Sequence, residues 1–129
     1  MKKLIIFIEI LTIVILLIAS GPGADTKEQK FFMMTATAYY PGPESCHPFD
    51  DGLTAIGDKA GKGSIAIDDK NGPLKMGQMV YIEGYGIGKC NDRGSAIKDW
   101  KIDLCFDTIE EAQEWGRKLV KVYLIEGVK

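Results

Sequence analysis

The sequence predicts one mainly β domain, a small barrel of six strands with a single short helix, preceded by an N-terminal export segment. Three observations predict it. The 129 residues include fifteen glycines and five prolines, which indicates many tight turns. Short runs rich in Ile, Val, Tyr or Phe are bounded by turn-forming residues, as strands are. With 46% apolar residues, the chain can bury one core and is too short for two.

The first 24 residues are predicted to lie outside the fold. Lys2 and Lys3 precede an apolar run over residues 4–19, and residues 20–24 are small or turn-forming. These are the features of an export signal. The run is shorter than the ~20 residues that a membrane span needs, and an uncleaved anchor stays open as the alternative. In both cases we expect the rest of the chain outside the cytoplasmic membrane, with membrane contact only through this segment.

The folded part is predicted to begin at residue 31, after a polar linker over residues 25–30. The long segment 40–62 is rich in Gly, Pro and Asp, so we expect surface loops there. The six strands are predicted at 31–39, 63–68, 78–83, 86–92, 101–106 and 119–125.

One helix is predicted between the fifth and sixth strands. Thr108 and Glu111 form a T-x-x-E capping box, which is typical of a helix N-terminus. The apolar residues that recur with helical spacing are Ile109, Ala112, Trp115 and Leu119.

Charge and motif content exclude several classes of ligand. Sixteen Lys and Arg against eighteen Asp and Glu give a net charge of −2, so no basic excess is available to bind nucleic acid. Gly84, Gly86 and Gly88 are spaced as in a nucleotide loop, but no helix is predicted after them. His47 is the single histidine and no CxxC pair occurs, so no structural zinc site is expected. We expect no metal and no cofactor.

Three aspartates carry the first functional indication. Asp103 lies in a predicted strand on the face opposite Ile102 and Leu104, together with Cys105. Asp68 and Asp92 fall at the ends of two other predicted strands, and strands generally disfavour Asp. Any one of them alone would be read as facing water. Together they predict a site.

A register hypothesis places two of these aspartates side by side. If the strands around Asp92 and Asp103 pair antiparallel with these two residues opposite each other, Cys90 falls opposite Cys105. A cross-strand disulfide between the two cysteines would follow from that register. With three cysteines in an exported chain, pairing of Cys46 with either partner is the alternative.

Several segments together resemble the 3D (three-aspartate) domain. The central match is Asp92-Arg93-Gly94-Ser95-Ala96-Ile97-Lys98 followed by Ile102-Asp103-Leu104. Matching segments before it are residues 35–39, 54–57 and 63–68, and those after it are residues 115–117 and 120–123. The resemblance covers nearly all of residues 33–125 in the right order. The family includes stationary-phase survival proteins of spore-forming bacteria and the catalytic core of membrane-bound lytic transglycosylase A.

The resemblance implies a double-psi β-barrel in which Asp68, Asp92 and Asp103 are the three aspartates and Asp103 is the acid/base. The chain departs from the family pattern at four positions. Arg93 and Ser95 stand where Thr and Gly are usual, Asp99 replaces a Gly, and Asp69 replaces a Pro. We expect the larger side chains to narrow the sugar-binding groove.

The chemistry of glycan cleavage explains why carboxyl groups are needed. A protonated carboxyl must donate to the leaving oxygen, and a second carboxylate nearby raises its pKa. We therefore expect a peptidoglycan lytic transglycosylase in which Asp103 donates the proton and Asp92 and Asp68 position it. A barrel that holds wall glycan without cutting it, and a hydrolase using two aspartates, are the alternatives. The residues expected to contact the sugar are Tyr39, Thr54, Ser95, Ala96 and Lys98. Packing of Tyr39 at the barrel edge, and a solvated Lys98, remain open.

Overall fold

A computed structural model of the chain describes residues 29–42 and 52–127. The predicted export segment, and the loop residues Cys46 and His47, lie outside the described residues. No helix within these two ranges is long and apolar enough to cross a membrane. The strands are β1 (Phe31–Tyr39), β2 (Ser64–Ala66), β3 (Met79–Ile82), β4 (Gly86–Asp92), β5 (Lys101–Cys105) and β6 (Lys118–Leu124), and the helix is α1 (Ile109–Trp115).

The six strands form a closed barrel in the order β1-β5-β2-β4-β3-β6, with β6 pairing back to β1. Two pairs, β1·β5 and β2·β4, are parallel, and the other four are antiparallel. The predicted barrel with one short helix is confirmed, and its mixed pairing agrees with the double-psi class. Closure leaves no long strand edge exposed, which suits a chain of this size.

The core fills the barrel interior because apolar side chains alternate along the strands. In β1, Met34 and Ala36 point inward, and in β5 Ile102 and Leu104 do so, all nearly fully buried. The buried residues contributed by the other strands and the β2–β3 connection are Ile65, Ile67, Leu74, Val80, Ile82, Cys90, Val120 and Val122. Polar residues that alternate with them are directed to the outer face.

Helix α1 begins as predicted and ends earlier than predicted. The Thr108 Oγ1 accepts a hydrogen bond from the Glu111 N–H at 3.2 Å, so Thr108 is the N-cap, as the predicted capping box requires. Gly116 ends the helix with a φ of 67°, a conformation that favours glycine. The prediction that Leu119 belongs to the apolar face of the helix is therefore wrong, and Leu119 lies exposed on β6.

The predicted pairing of β4 with β5 is wrong. Strand β2 lies between them, so Ala66 is opposite Asp103 on one side and opposite Asp92 on the other. The predicted pairing follows the usual preference of consecutive strands for adjacency, which the crossover in this barrel overrides.

The predicted disulfide between Cys90 and Cys105 is wrong in this structure, where both thiols are free. A β-bulge inserts Asn91 as an extra residue between Cys90 and Asp92. As a result Cys90 faces the core, whereas Cys105 lies on the other side of the barrel wall. Burial raises the pKa of Cys90 to about 12 and that of Cys105 to about 11, which leaves both thiols protonated and unreactive.

Candidate functional site

Asp103 is the centre of the candidate site. It lies midway along β5, opposite Thr37 of β1 and Ala66 of β2. Its side chain is on the outer face of the barrel, as predicted, because its neighbours Ile102 and Leu104 fill the interior. Thr37 Oγ1 lies 2.9 Å from Asp103 Oδ1 and donates a hydrogen bond to it. The carboxyl is thus held in place at a half-buried position.

Burial is the main cause of the raised pKa of Asp103. The Thr37 hydroxyl and the charge of Lys101 both favour the ionised form and oppose this effect. The charge of Asp92 raises the pKa of Asp103 as a smaller contribution. A neighbouring carboxylate was predicted as the cause of the raised pKa. In the structure desolvation contributes more, as for a carboxyl in a partly apolar site.

Asp92 lies at the end of β4, two strands away from Asp103. The strand spacing of ~4.8 Å puts their Cα atoms about 10 Å apart. Oδ1 of Asp92 accepts the N–H groups of Ala55, at 3.0 Å, and of Arg93, at 2.9 Å. Asp92 therefore fixes the backbone at Ala55 against the end of β4.

Asp68 joins two loops near the start of β5. Its Oδ2 accepts the Asp99 N–H at 2.8 Å, and its Oδ1 accepts the N–H groups of Lys70 and Asn71, each at 3.2 Å. The N–H groups of Asp99 and Asn71 are the main causes that hold the pKa of Asp68 below its ordinary value, with Lys98 adding to the effect. Asp68 stays ionised and positions backbone.

Asp99 explains one departure from the family pattern. It has a φ of 56° and is the only described residue other than glycine with a positive φ. Glycine takes this conformation freely, and Asp tolerates it better than most residues. The usual glycine at this position is therefore a conformational requirement that Asp99 still meets.

The residues predicted to contact sugar fall into two groups. Lys98, Ser95 and Ala96 are exposed on the loop between β4 and β5. Thr54 is buried, and its hydroxyl accepts the Asp58 N–H at 3.1 Å, so it stabilises a turn. Their contact with sugar stays a prediction.

Tyr39 lies at the end of β1 with its hydroxyl buried beside the Cys105 thiol. Burial raises the pKa of Tyr39 far above its ordinary value, and the charges of Cys105, Asp92 and Asp103 act in the same direction. The hydroxyl is therefore neutral. This arrangement is closer to packing at the barrel edge, the alternative stated for Tyr39, than to an exposed ring on which a sugar could stack.

A groove lies between β1 and α1, on the strand next to that of Asp103. Its volume is about 460 Å³. Asp103 does not line this groove, but Thr37 does, and Thr37 donates the hydrogen bond to Asp103. The other lining residues are Ala38, Tyr39, Tyr40, Ile109, Ala112, Gln113 and Gly116. A concave surface with hydroxyl and amide groups over an apolar floor is suited to binding a small polar ring.

Sequence reasoning missed two residues that shape this region. Thr37 was included only in the segment 35–39 that resembles the 3D domain and was given no role, because a threonine in a strand is unremarkable in itself. Gly72 packs so closely that an added Cβ would lie 2.3 Å from the Asp99 carbonyl oxygen and 2.6 Å from that of Asp68. Within residues 29–42 and 52–127, no three His, Cys, Asp or Glu side chains are grouped as a metal site.

Comparison with known proteins identifies the domain. Residues 63–126 match the family model described as 3D domain. The chain contains a 3D domain. The match includes all three aspartates and every strand except β1.

Two proteins of Bacillus subtilis (strain 168) are similar to this chain. The first is YabE, whose name refers to cell wall shaping, with 36% identity over 100 residues, covering 74% of this chain and 23% of YabE. The second is the cell wall-binding protein YocH, with 37% identity over 100 residues, covering 74% of this chain and 33% of YocH. The chain thus spans a third or less of the curated relatives it matches.

Proposed function

We propose that this 3D domain acts on the glycan strands of peptidoglycan outside the cytoplasmic membrane, as a lytic transglycosylase. The observation that carries the proposal is a half-buried carboxyl, Asp103, whose pKa is raised by burial and whose hydrogen-bond donor, Thr37, lines a groove. A general acid requires a carboxyl whose pKa is raised above its ordinary value, and burial shifts the pKa of Asp103 in that direction. The names of the two relatives, which refer to cell wall shaping and binding, support the same substrate and location.

The proposed reaction consumes no water. Asp103 donates its proton to the oxygen that links N-acetylmuramic acid to N-acetylglucosamine, and the C1–O bond breaks. Positive charge develops on the muramic acid ring. The Asp103 carboxylate then takes the proton of the C6 hydroxyl of that sugar, and O6 bonds to C1 to close a 1,6-anhydro ring. Asp103 regains its proton, so the step is balanced and uses no cofactor.

The surrounding groups prepare Asp103 for both roles. Thr37 orients the carboxyl through its hydrogen bond and stabilises the ionised form that is needed as the base. Asp92 adds a negative charge that favours the protonated form and the ring cation. Asp68 contributes by fixing the backbone of residues 70, 71 and 99.

The single-carboxyl mechanism fits the geometry better than hydrolysis by two aspartates. Hydrolysis needs a second carboxylate free to activate water or to attack the sugar. Asp92 Oδ1 accepts two backbone N–H groups, and both oxygens of Asp68 accept backbone N–H groups. These bonds favour structural roles for both carboxylates.

Product analysis tests the proposal. Purified peptidoglycan is digested with the full chain, and the soluble products are examined by mass spectrometry with and without borohydride reduction. We expect anhydro ends that borohydride leaves unchanged, and at least a 100-fold loss of product with Asp103→Asn. Reducible ends would instead identify a hydrolase and overturn the transglycosylase assignment.

A second candidate is a domain that binds wall glycan without cutting it. The anchoring of Asp92 and Asp68 by backbone groups favours this candidate, because a rigid groove alone suffices for binding. The name of YocH, a cell wall-binding protein, points in the same direction. Glycan that co-sediments with both the unaltered chain and Asp103→Asn, with no soluble product from either, would establish binding alone.

A further inference from the structure

We propose that Arg93 binds a carboxylate group of the glycan ligand and that Asp69 positions Arg93 for this contact. The inference rests on the proposed function, because it assigns a ligand group to the same site. It makes the two residues determinants of specificity for acidic glycan over neutral glycan.

The two residues emerge from the two strand ends that carry the site. Arg93 directly follows Asp92 at the end of β4, and Asp69 directly follows Asp68, just beyond β2. Since β2 and β4 are parallel neighbours, both segments leave the barrel at the same edge. The pair therefore bridges the loops after these strands and forms part of the rim of the site.

The contact between them is bidentate. Arg93 Nε lies 3.0 Å from Asp69 Oδ1, and Arg93 Nη2 lies 2.8 Å from Asp69 Oδ2. Asp69 is itself held in the loop, since its carbonyl oxygen accepts a hydrogen bond from Lys75 Nζ at 2.9 Å. A guanidinium fixed in this way loses little further side-chain entropy when it binds a second group.

The Arg93 guanidinium has further N–H groups that do not contact Asp69. Of its five N–H groups, two serve Asp69, and no partner among the described residues is assigned to the other three. The Arg93 side chain is 50% exposed, whereas that of Asp69 is 21% exposed. The free edge of the guanidinium, formed by the two terminal nitrogens, is therefore open to a second planar acceptor.

A carboxylate is the acceptor that best fits this edge. Guanidinium groups bind carboxylates through two parallel hydrogen bonds, which neutral hydroxyl groups cannot reproduce. Asp92, next to Arg93, has its Oδ1 engaged by two backbone N–H groups. Arg93 lies two β-strands away from Asp103. It is therefore placed to contact the sugar next to the one held at Asp103 in the same glycan chain. In peptidoglycan the carboxylate is either the lactyl group of a peptide-free muramic acid or a group of the stem peptide.

Binding measurements on the full chain test this role. All variants carry Asp103→Asn, so that ligand is not consumed, and titration calorimetry is run with three ligands. These are a neutral oligomer of N-acetylglucosamine, a peptide-free muramic acid glycan with lactyl carboxylates, and the same glycan bearing stem peptides. We expect Arg93→Gln to weaken binding of a carboxylated glycan about tenfold and to leave the neutral oligomer unaffected. The affinity of Arg93→Lys for a carboxylated glycan should lie between these two, because lysine keeps the positive charge and lacks the paired N–H groups of the guanidinium.

Lys89→Gln provides the matched control. Lys89 forms an ion pair of 2.9 Å with Asp58 and is comparably exposed, at 40%. The Lys89→Gln variant should bind all three ligands with the affinity of the parent. Loss confined to the peptide-free glycan identifies the lactyl carboxylate, and loss confined to the peptide-bearing glycan identifies the stem. Equal loss for neutral and acidic glycans, or an equal effect of Lys89→Gln, overturns the role of Arg93 and leaves the proposed function standing. If no glycan binds to any variant, both proposals fail.

Discussion

Thr37 Oγ1 donates a hydrogen bond of 2.9 Å to Asp103 Oδ1 across the parallel pair of β1 and β5, where the two residues are directly opposite. This contact opposes the effect of burial on the same carboxyl. Asp103 is thus kept available as an acid by desolvation and as a base by its hydrogen bond. The balance between the two determines the pH at which it can act.

Thr37→Val should raise the pKa of Asp103 further, because the bond that favours the ionised form is lost. We expect the basic limb of the pH–activity profile to move to higher pH and the stability to fall by roughly 1 kcal/mol. Carbon-13 NMR titration of the carboxyl and urea unfolding measure the two effects. Thr35→Val, two residues earlier on β1, is the control and should leave the Asp103 titration unchanged. An unaltered Asp103 titration in Thr37→Val would refute the effect.

Asp103→Asn should stabilise the fold at neutral pH. Its pKa in the folded state is raised, so the carboxyl contributes stability below its ordinary pKa of ~3.9 and that contribution is lost as pH rises through the folded pKa. Removing the charge therefore raises the melting temperature at pH 7, and the gain shrinks as pH falls toward 4. Thermal unfolding at a series of pH values measures it. A gain that does not depend on pH would count against a buried charge as the cause.

Asp68→Asn should have the opposite pH dependence. The folded pKa of Asp68 is lowered by backbone N–H groups, so its contribution is present above ~3.9 and disappears as pH falls through the folded pKa. We expect a lower melting temperature than the parent at pH 7 and no difference in strong acid. Glu126→Gln, at an exposed position, supplies the comparison. Equal losses at pH 7 and in acid would contradict the role of the charge.

Asp99→Ala should cost about 1 kcal/mol of stability, because alanine is disfavoured at a φ of 56°. Asp99→Gly should cost little or nothing, since glycine adopts this conformation without a steric penalty. Both variants keep the N–H that Asp68 accepts. Urea unfolding of the two proteins side by side measures the difference. Equal loss in both would show that the Asp99 side chain, and not its backbone, is what matters.

Gly72→Ala should destabilise the fold by about 2 kcal/mol, as other overpacking substitutions do. The added Cβ would overlap the carbonyl oxygens of Asp99 and Asp68, which belong to rigid backbone. Gly61→Ala is the control, because a Cβ there meets no atom within 4 Å. Because the two loops would be pushed apart, Gly72→Ala should also weaken glycan binding. A variant as stable as Gly61→Ala would contradict the close approach.

The parts of the site on regular strands were predictable from the sequence. In β5 the strict alternation places Asp103 on the face opposite Ile102 and Leu104, and the structure confirms it. The relation of Asp92 to Asp103 was not predictable, because it depends on β2 lying between their strands. Long-range order of this kind leaves no periodic mark in a single sequence.

Contacts between residues far apart in the sequence were also not predictable from it. The ion pair of Arg93 with Asp69 joins residues 24 positions apart, and neither position is unusual for a surface loop. The cause of the Asp103 pKa was mistaken for the same reason, since burial depends on what packs around the strand. A sequence shows which groups can ionise and leaves their surroundings unspecified.

The outward direction of Asp92 depends on the bulge at Asn91. Cys90 faces the core and Asp92 the outside only because Asn91 is accommodated without a partner in β2. A regular ladder through the same sequence would put Asp92 on the face of Cys90 and turn its carboxylate toward the hydrophobic interior. Substitutions that straighten this strand would therefore bury the acidic group and leave the barrel without it on its outer face.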